Sequence, residues 1–378
     1  MTARIVSIGT AVPGTDLEQS RIRDLFASQP GVDRLTDRII RAAFDAAAIE
    51  HRSTVLAEFG EAGASGAPTE GGGAAFVDGA GVLLAPTTGE RNDAYRRLAP
   101  DLSARAARAA MTDARVPASS VTHVITVSCT GFFAPGPDFR LVRDLALPGT
   151  VERYHLGFIG CAAALPALRL AAGIVEAKPG SVVLVDCVEL CTLHVRASSD
   201  PQQIVASSVF ADGAAAAVIA DDATAGAFEP PVWLELDRFG TALTAEGEDD
   251  LVWTIGDHGF EMVLSAEVPR IIGREIRGAV DRFLGDDPPP DAWAVHPGGR
   301  SVLDRVESGL GLAPELLAPS RAVLRDAGNM SSPTILFILR ALLHDDAVGE
   351  GARIAGLAFG PGLTVESALL TKHVADPA

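Results

Sequence analysis

The chain of 378 residues is short of several things, and each shortage excludes a class of protein. Four cysteines do not make a disulfide scaffold. Basic residues are outnumbered, 31 against 49 acidic, so the formal charge is −18 and there is no overall pull toward nucleic acid or an anionic membrane. An anionic substrate would need a local basic patch. No apolar run approaches the ~18 residues of a membrane span. Met1–Thr15 carries one arginine and Gly and Pro breaks rather than the layout of an export signal. There is no Walker loop and no H-E-x-x-H, and Cys187 with Cys191 forms a lone C-x-x-x-C without a second ligand pair, so no metal site is expected. These absences predict a reduced, soluble, cytoplasmic protein.

What is there is the material of a globular fold: 48% hydrophobic and 21% charged residues, enough for two domains or one large one. Arg4–Gly9, Val121–Cys129, Ser181–Cys187, Ala214–Ala220, Val232–Phe239, Ala292–His296 and Arg353–Phe359 read as strands. Residues 33–49, Tyr95–Ala114, Cys161–Ala177, Pro269–Phe283 and Pro333–His344 read as helices. The alternation predicts an α/β fold with layered sheets. Residues 60–90 are crowded with glycine and read as a mobile surface excursion. A faint echo links the halves: Gly160-Cys161 and Gly328-Asn329 each precede small residues and then an apolar helix, hinting at duplication.

Four places can carry chemistry. Cys161 opens the helix after Gly160, where a positive dipole end favours thiolate over thiol, the form that accepts an acyl group; the alternative is a buried structural cysteine. Pro166 inside that helix should kink it or shift its start. His296 ends a strand before Pro-Gly-Gly, where imidazole could pair with a thiolate or relay protons, or simply be a structural histidine. Asn329 precedes Ser332-Pro333, a good N-cap and first-turn pair, and its amide could hold an oxyanion or merely sit in a turn. Gly356–Glu366 reads as strand, Gly-Pro-Gly turn and strand, a turn able to bring backbone close to a ligand or a plain hairpin.

Together, and in this order, Gly-Cys, H-P-G-G, G-N-M-S-S and F-G-P-G-L-T-V-E resemble the type III polyketide synthases, the chalcone and stilbene synthase family of the thiolase-fold superfamily. The resemblance spans nearly the whole chain. It implies a five-layer αβαβα thiolase-like fold of two similar halves, residues 1–222 with the nucleophilic Cys161 and 223–378 with His296 and Asn329. It implies a homodimer with Phe132–Gly136 as interface loop. It implies iterative decarboxylative condensation of malonyl-CoA onto an acyl-thioester starter, then cyclisation to a resorcinol, phloroglucinol, chromone or pyrone. CoA thioesters would be substrates, with no cofactor. The alternatives are a 3-oxoacyl-carrier-protein synthase III-like enzyme making one condensation, and a thiolase-fold scaffold that has lost catalysis.

By the same resemblance Cys161 is the nucleophile, and His296 and Asn329 hold the enolate oxygen. Phe210 and Met262 are gatekeepers, with methionine where plant members have phenylalanine. Cys129, Ser331, Gly298 and the turn Gly360, Pro361 and Gly362 belong to the substrate-binding surface. Cys129 replaces a plant threonine, as in some bacterial members, which suggests a bacterial-type enzyme. His194 and Trp253, where smaller residues are usual, would shrink the cavity if they point inward. The helix expected to grip CoA phosphates has Ile39, Ala42 and Ala46 at the matching positions, leaving Arg38, Arg41 and Arg52, so a carrier protein could deliver the starter instead.

Overall fold

The structure is a computed structural model, and it describes residues 2–60 and 75–375. Nine strands build one sheet: β1 Ala3–Ala11, β2 His123–Ser128, β3 Glu152–Gly157, β4 Val182–Leu190, β5 Asp212–Asp221, β6 Val232–Leu243, β7 Ala292–Val295, β8 Arg353–Gly360 and β9 Thr364–Val374. Their order is β7-β8-β9-β6-β1-β5-β4-β2-β3. The two sides repeat one topology. Read outward from the centre, β1-β5-β4-β2 and β6-β9-β8-β7 each contain two antiparallel pairings and then a parallel one. Strand β3 is an extra edge on the first side. Among the described residues, the two half-sheets are hydrogen-bonded to each other only where Arg4 and Ile5 of β1 pair with Glu235 and Leu234 of β6.

That narrow seam lets the half-sheets face each other across two helices, α2 Ala164–Ala177 and α5 Thr334–Leu343. Outside lie α1 Thr88–Asp113 on the first half and α3 Val268–Leu284 with α4 Arg300–Leu310 on the second. The layers are therefore helix, sheet, helix, sheet, helix. Side chains alternate across each strand, so the strands feed separate cores. On β5, Ala214, Ala216 and Val218 face α1, while Ala215, Ala217 and Ile219 join α2 and α5. On β7, Trp293 and Val295 face α3 and α4, while Ala292 and Ala294 face the central helices. Both faces are buried, which is why these strands read as unbroken apolar runs. Gly9 permits a close crossing of β1 and α1: a Cβ there would stand 2.2 Å from Ala110 N.

The helix long and apolar enough for a membrane by composition, Gly160–Ala177, is a core helix, with 56% of it buried inside the protein.

Some sequence expectations are corrected. Of the glycine-rich stretch, residues 61–74 lie outside the described residues. The rest is not a free excursion: Phe76 and Val77 are buried, Val77 pairs with Leu83, and the Arg91 guanidinium lies over the Phe76 ring. Helix α1 starts seven residues before Tyr95, behind a capping box in which Thr87 and Glu90 satisfy each other's backbone N–H groups. Ser332 is not an N-cap. Pro333 occupies that position, and the Ser332 hydroxyl donates instead to Glu189 at 2.9 Å.

Candidate active site

The central helices begin at equivalent places in the two halves, and the residues before them meet. Cys161 lies in a single 3-10 turn, Gly160–Ala162, and α2 opens three residues later at Ala164. Pro166 thus falls in the first helical turn, where its missing N–H leaves no gap; it shifts the start rather than kinking the helix. Gly160 holds φ +68°, and a Cβ there would stand 2.6 Å from Pro361 Cδ. Glycine is needed on both counts. A Cβ at Gly360 would in turn stand 2.9 Å from the Ile159 carbonyl. The Gly360-Pro361-Gly362 turn therefore braces the cysteine turn. Pro361 reaches the cavity below, whereas Gly360 and Gly362 do not line it.

Asn329 is held by its own backbone. Its N–H donates to Val209 O at 2.9 Å and its carbonyl accepts from Ala211 N at 2.9 Å, straddling Phe210. Asn329 Oδ1 accepts the Ser331 N–H at 2.8 Å and stands 4.0 Å from Cys161 Sγ. Oδ1 is thus the amide atom that meets the thiol, and the Nδ2 donors make no hydrogen bond among the described residues.

His296 follows β7, its N–H bonded to Leu357 O of β8 at 2.8 Å. It is 1% exposed, yet neither ring nitrogen has a hydrogen-bond partner among the described residues. Both ring nitrogens are thereby left to donate to or accept from a group that enters the site. Desolvation pushes its pKa down to about 3 and pushes the Cys161 thiol up to about 11. Burial alone thus drives both groups to their neutral forms.

Beneath Cys161 lies a buried polar network that the sequence reading missed. The Glu189 carboxylate accepts from Cys129 N, Thr130 Oγ1 at 2.8 Å and Ser332 Oγ at 2.9 Å. Burial raises its pKa despite these bonds. The signal was present, a charged residue inside the apolar run of β4. Cys129 Sγ lies 3.8 Å from Ser331 Oγ, and Ser331 takes φ +58°, a strained conformation for serine.

Cys161, Cys129, Phe210, Met262, His194, Trp253, Ser331 and Pro361 line one cavity of about 640 Å³, its mouth included, and its walls are mainly apolar. Trp253 and His194 do point inward. Trp253 Nε1 donates to Cys129 O at 2.7 Å. His194 Nε2 donates to Thr130 O at 2.8 Å, and Nδ1 accepts the Phe260 N–H at 3.0 Å. Both nitrogens being committed, the tautomer is fixed, and burial pushes this histidine down to about 3. Its ring stacks on Phe260 at 4.2 Å, forming a rigid aromatic wall with Trp253. Trp253, Phe260 and Met262 sit on the hairpin Leu251–Gly256 and Gly259–Leu264, which the sequence reading did not place.

Gly298 is elsewhere, in a second groove walled by Ala43, Ala46 and Ala47 on one side and α3 and α4 on the other. Of the three arginines expected to meet phosphate, Arg52 is corrected. It is buried and donates to Ser207 O at 2.7 Å and Phe210 O at 2.8 Å, which ties down the Phe210 corner instead. Arg41 is exposed but paired with Asp24 at 3.0 Å and Asp37 at 2.9 Å. Arg38 is exposed and has no ion-pair partner among the described residues.

Comparison with known proteins matches residues 79–223 to the family model for the N-terminal domain of chalcone and stilbene synthases, and residues 240–374 to the model for their C-terminal domain. The chain is 30% identical over 376 residues to 3,5-dihydroxyphenylacetyl-CoA synthase of Streptomyces toyocaensis, covering 97% of this chain and 89% of that one. It is 32% identical over 396 aligned positions to bisdemethoxycurcumin synthase of Oryza sativa subsp. japonica, covering 98% and 93%. Among solved structures, PKS-I from the brown alga Ectocarpus siliculosus superposes with a TM-score of 0.89 at 29% identity, covering 98% of each chain.

Proposed function

From the premise that this chain belongs to the chalcone and stilbene synthases, and is thereby a type III polyketide synthase and an acyltransferase, we propose a division of labour among its residues. The Cys161 thiolate attacks the carbonyl of an acyl-thioester starter, and the carrier leaves as its thiolate. Malonyl-CoA then loses CO2, and the electron pair of the broken bond becomes an enolate. Asn329 Nδ2 and the ring N–H of neutral His296 hold the enolate oxygen. The enolate carbon attacks the acyl carbonyl on Cys161 and expels the thiolate, leaving a CoA thioester two carbons longer that returns to the cysteine. Donors of this kind are each worth ~10²–10³-fold in rate. The observation that carries this reading is the 4.0 Å approach of Asn329 to Cys161 at the wall of an apolar cavity.

Malonyl-CoA and an acyl-CoA starter are the proposed substrates, and the reaction as written calls on no metal or redox cofactor. The halves 1–222 and 223–378 then contribute nucleophile and oxyanion donors respectively. Cys129, in a position some bacterial members share, supports a bacterial-type enzyme. The inward Trp253 and His194 favour a small starter or few extensions, ending in a resorcinol, phloroglucinol, chromone or pyrone.

The test incubates purified protein with malonyl-CoA and acetyl, fatty-acyl, benzoyl and coumaroyl starters, beside Cys161→Ala. Cyclised products of two or more extensions, counted by mass spectrometry and absent in the variant, are expected. A single extension would replace this reading with a one-condensation ketoacyl synthase. No turnover together with an inert thiol would overturn catalysis altogether.

A further inference from the structure

The groove that holds Gly298 adjoins the catalytic cavity. Helix Pro201–Val209 supplies Gln203, Ala206 and Ser207 to the cavity and Gln202, Val205 and Ser208 to the groove. The hairpin does the same, with Met262 facing the cavity and Leu264 the groove. The groove measures about 1280 Å³, its open side included.

Its two walls differ. The wall from the helix Arg34–Ala46 and its C-cap is Ala43, Ala46 and Ala47 and offers no charge. The opposite wall carries Arg270, Arg300 and Arg305. Arg270 is paired with Glu267, and the neighbouring Asp304 is taken by Arg321 at 2.9 Å. Arg300 and Arg305 are exposed and have neither an ion pair nor a side-chain hydrogen bond among the described residues. Arg305 is also positioned: a Cβ at Gly273 of α3 would stand 3.1 Å from its Cδ, so the stem lies across that small residue and the guanidinium is held at the groove. In a chain of net charge −18, two unpaired arginines on one wall of the cavity's antechamber are a local reversal of sign.

We propose that Arg300 and Arg305 bind the phosphates of the phosphopantetheine-bearing substrate, so that the anion grip lies on the α4 wall rather than on the helix Arg34–Ala46. The proposal rests on the polyketide synthase reading. It assigns the groove to the phosphorylated end of a thioester whose pantetheine arm runs past helix Pro201–Val209 toward Cys161. Guanidinium groups suit this role because their planar fork meets phosphate oxygens bidentately.

The experiment compares wild type with Arg300→Ala/Arg305→Ala on two forms of the same substrates, CoA thioesters and N-acetylcysteamine thioesters, which lack phosphate. The expected result is a rise of roughly tenfold or more in KM for the CoA forms, kcat little changed, and unaltered kinetics with the N-acetylcysteamine forms. Equal losses on both forms, or no change on either, overturns the proposal. Calorimetric binding of free CoA and of 4′-phosphopantetheine is read separately from turnover. Binding lost in the double variant supports the site even if no condensation is ever seen, so the two readings fail independently. Binding unchanged in the variant overturns it. Tighter binding of CoA than of phosphopantetheine assigns the site to free CoA. Equal binding assigns it to the shared phosphate, and with it to a carrier-bound starter; both support an anion site on this wall.

Discussion

At the residue scale the site poses a question of charge. A condensing cysteine reacts as thiolate, yet burial pushes Cys161 up to about 11 and His296 down to about 3. The ion pair forms only if attraction between thiolate and imidazolium exceeds the cost of desolvating both. In that case His296 is the group that brings the thiol within reach of neutral pH. The rate of Cys161 alkylation by iodoacetamide, followed against pH, should show a midpoint well below the value set by burial in wild type. In His296→Ala the midpoint should move up toward 11. Superimposable profiles would mean that His296 does not support the thiolate. Cavity shape poses the second question. Trp253 is anchored by one hydrogen bond to Cys129 O and packs edge-on against His194. Trp253→Gly removes that wall without touching Cys161, so it should admit bulkier starters or at least one further extension. An unchanged product set by mass spectrometry would show that the wall does not limit growth.

At the element scale, legibility followed burial. The strands β4, β5, β7 and β8 were readable because both faces are covered, and covered strands are continuous apolar runs. The edge strand β3 was not, because Glu152–His155 is exposed and carries no apolar pattern. The start of α1 was missed although Thr87-x-x-Glu90 spells a capping box, because the glycine-rich stretch before it drew the reading toward a loop. At the site, the motifs found Cys161, His296 and Asn329, and the charge of Glu189 inside an apolar strand was visible, but its partners and the Arg52 strut depend on long-range packing that no local spacing reports. Asp186, inside β4, is another such residue. It is fully buried, one oxygen accepts from Ser103 of α1 at 2.6 Å and the other has no partner among the described residues. Desolvation raises its pKa from 3.8 to about 7. Between those values the folded state holds a proton that the unfolded chain has released, so this group's contribution to stability falls as pH rises from about 4 to 7 and is level above. Asp186→Asn removes the ionisation and keeps an acceptor for Ser103. The variant should gain about 2–4 kcal/mol over wild type by pH 8 and little at pH 4, measured by urea denaturation. A difference independent of pH would contradict the titration.

At the scale of the whole molecule, the sheet is unfinished on one side. Strand β3 is its free edge beyond β2, and the other end, β7, is short. Exposed open edges are rarely left uncovered. Strand β3 itself carries Tyr154, 40% exposed, and near it lies Phe132, 38% exposed and stacked on Phe158 at 5.2 Å. An edge with aromatic flanks suits an isologous contact in which β3 meets its own copy antiparallel and the sheet continues across a two-fold axis. This is the homodimer that the family resemblance implies, argued from the edge itself. Each protomer carries −18, so association works against its own charge and should strengthen as salt rises from about 20 to about 200 mM. Sedimentation should give twice the 39.1 kDa chain mass for wild type. Phe132→Asp/Tyr154→Lys should sediment as a monomer with an unchanged far-ultraviolet dichroism spectrum. A wild type that stays monomeric at micromolar concentration in high salt, or a variant that still dimerises, would show that this edge is covered in some other way.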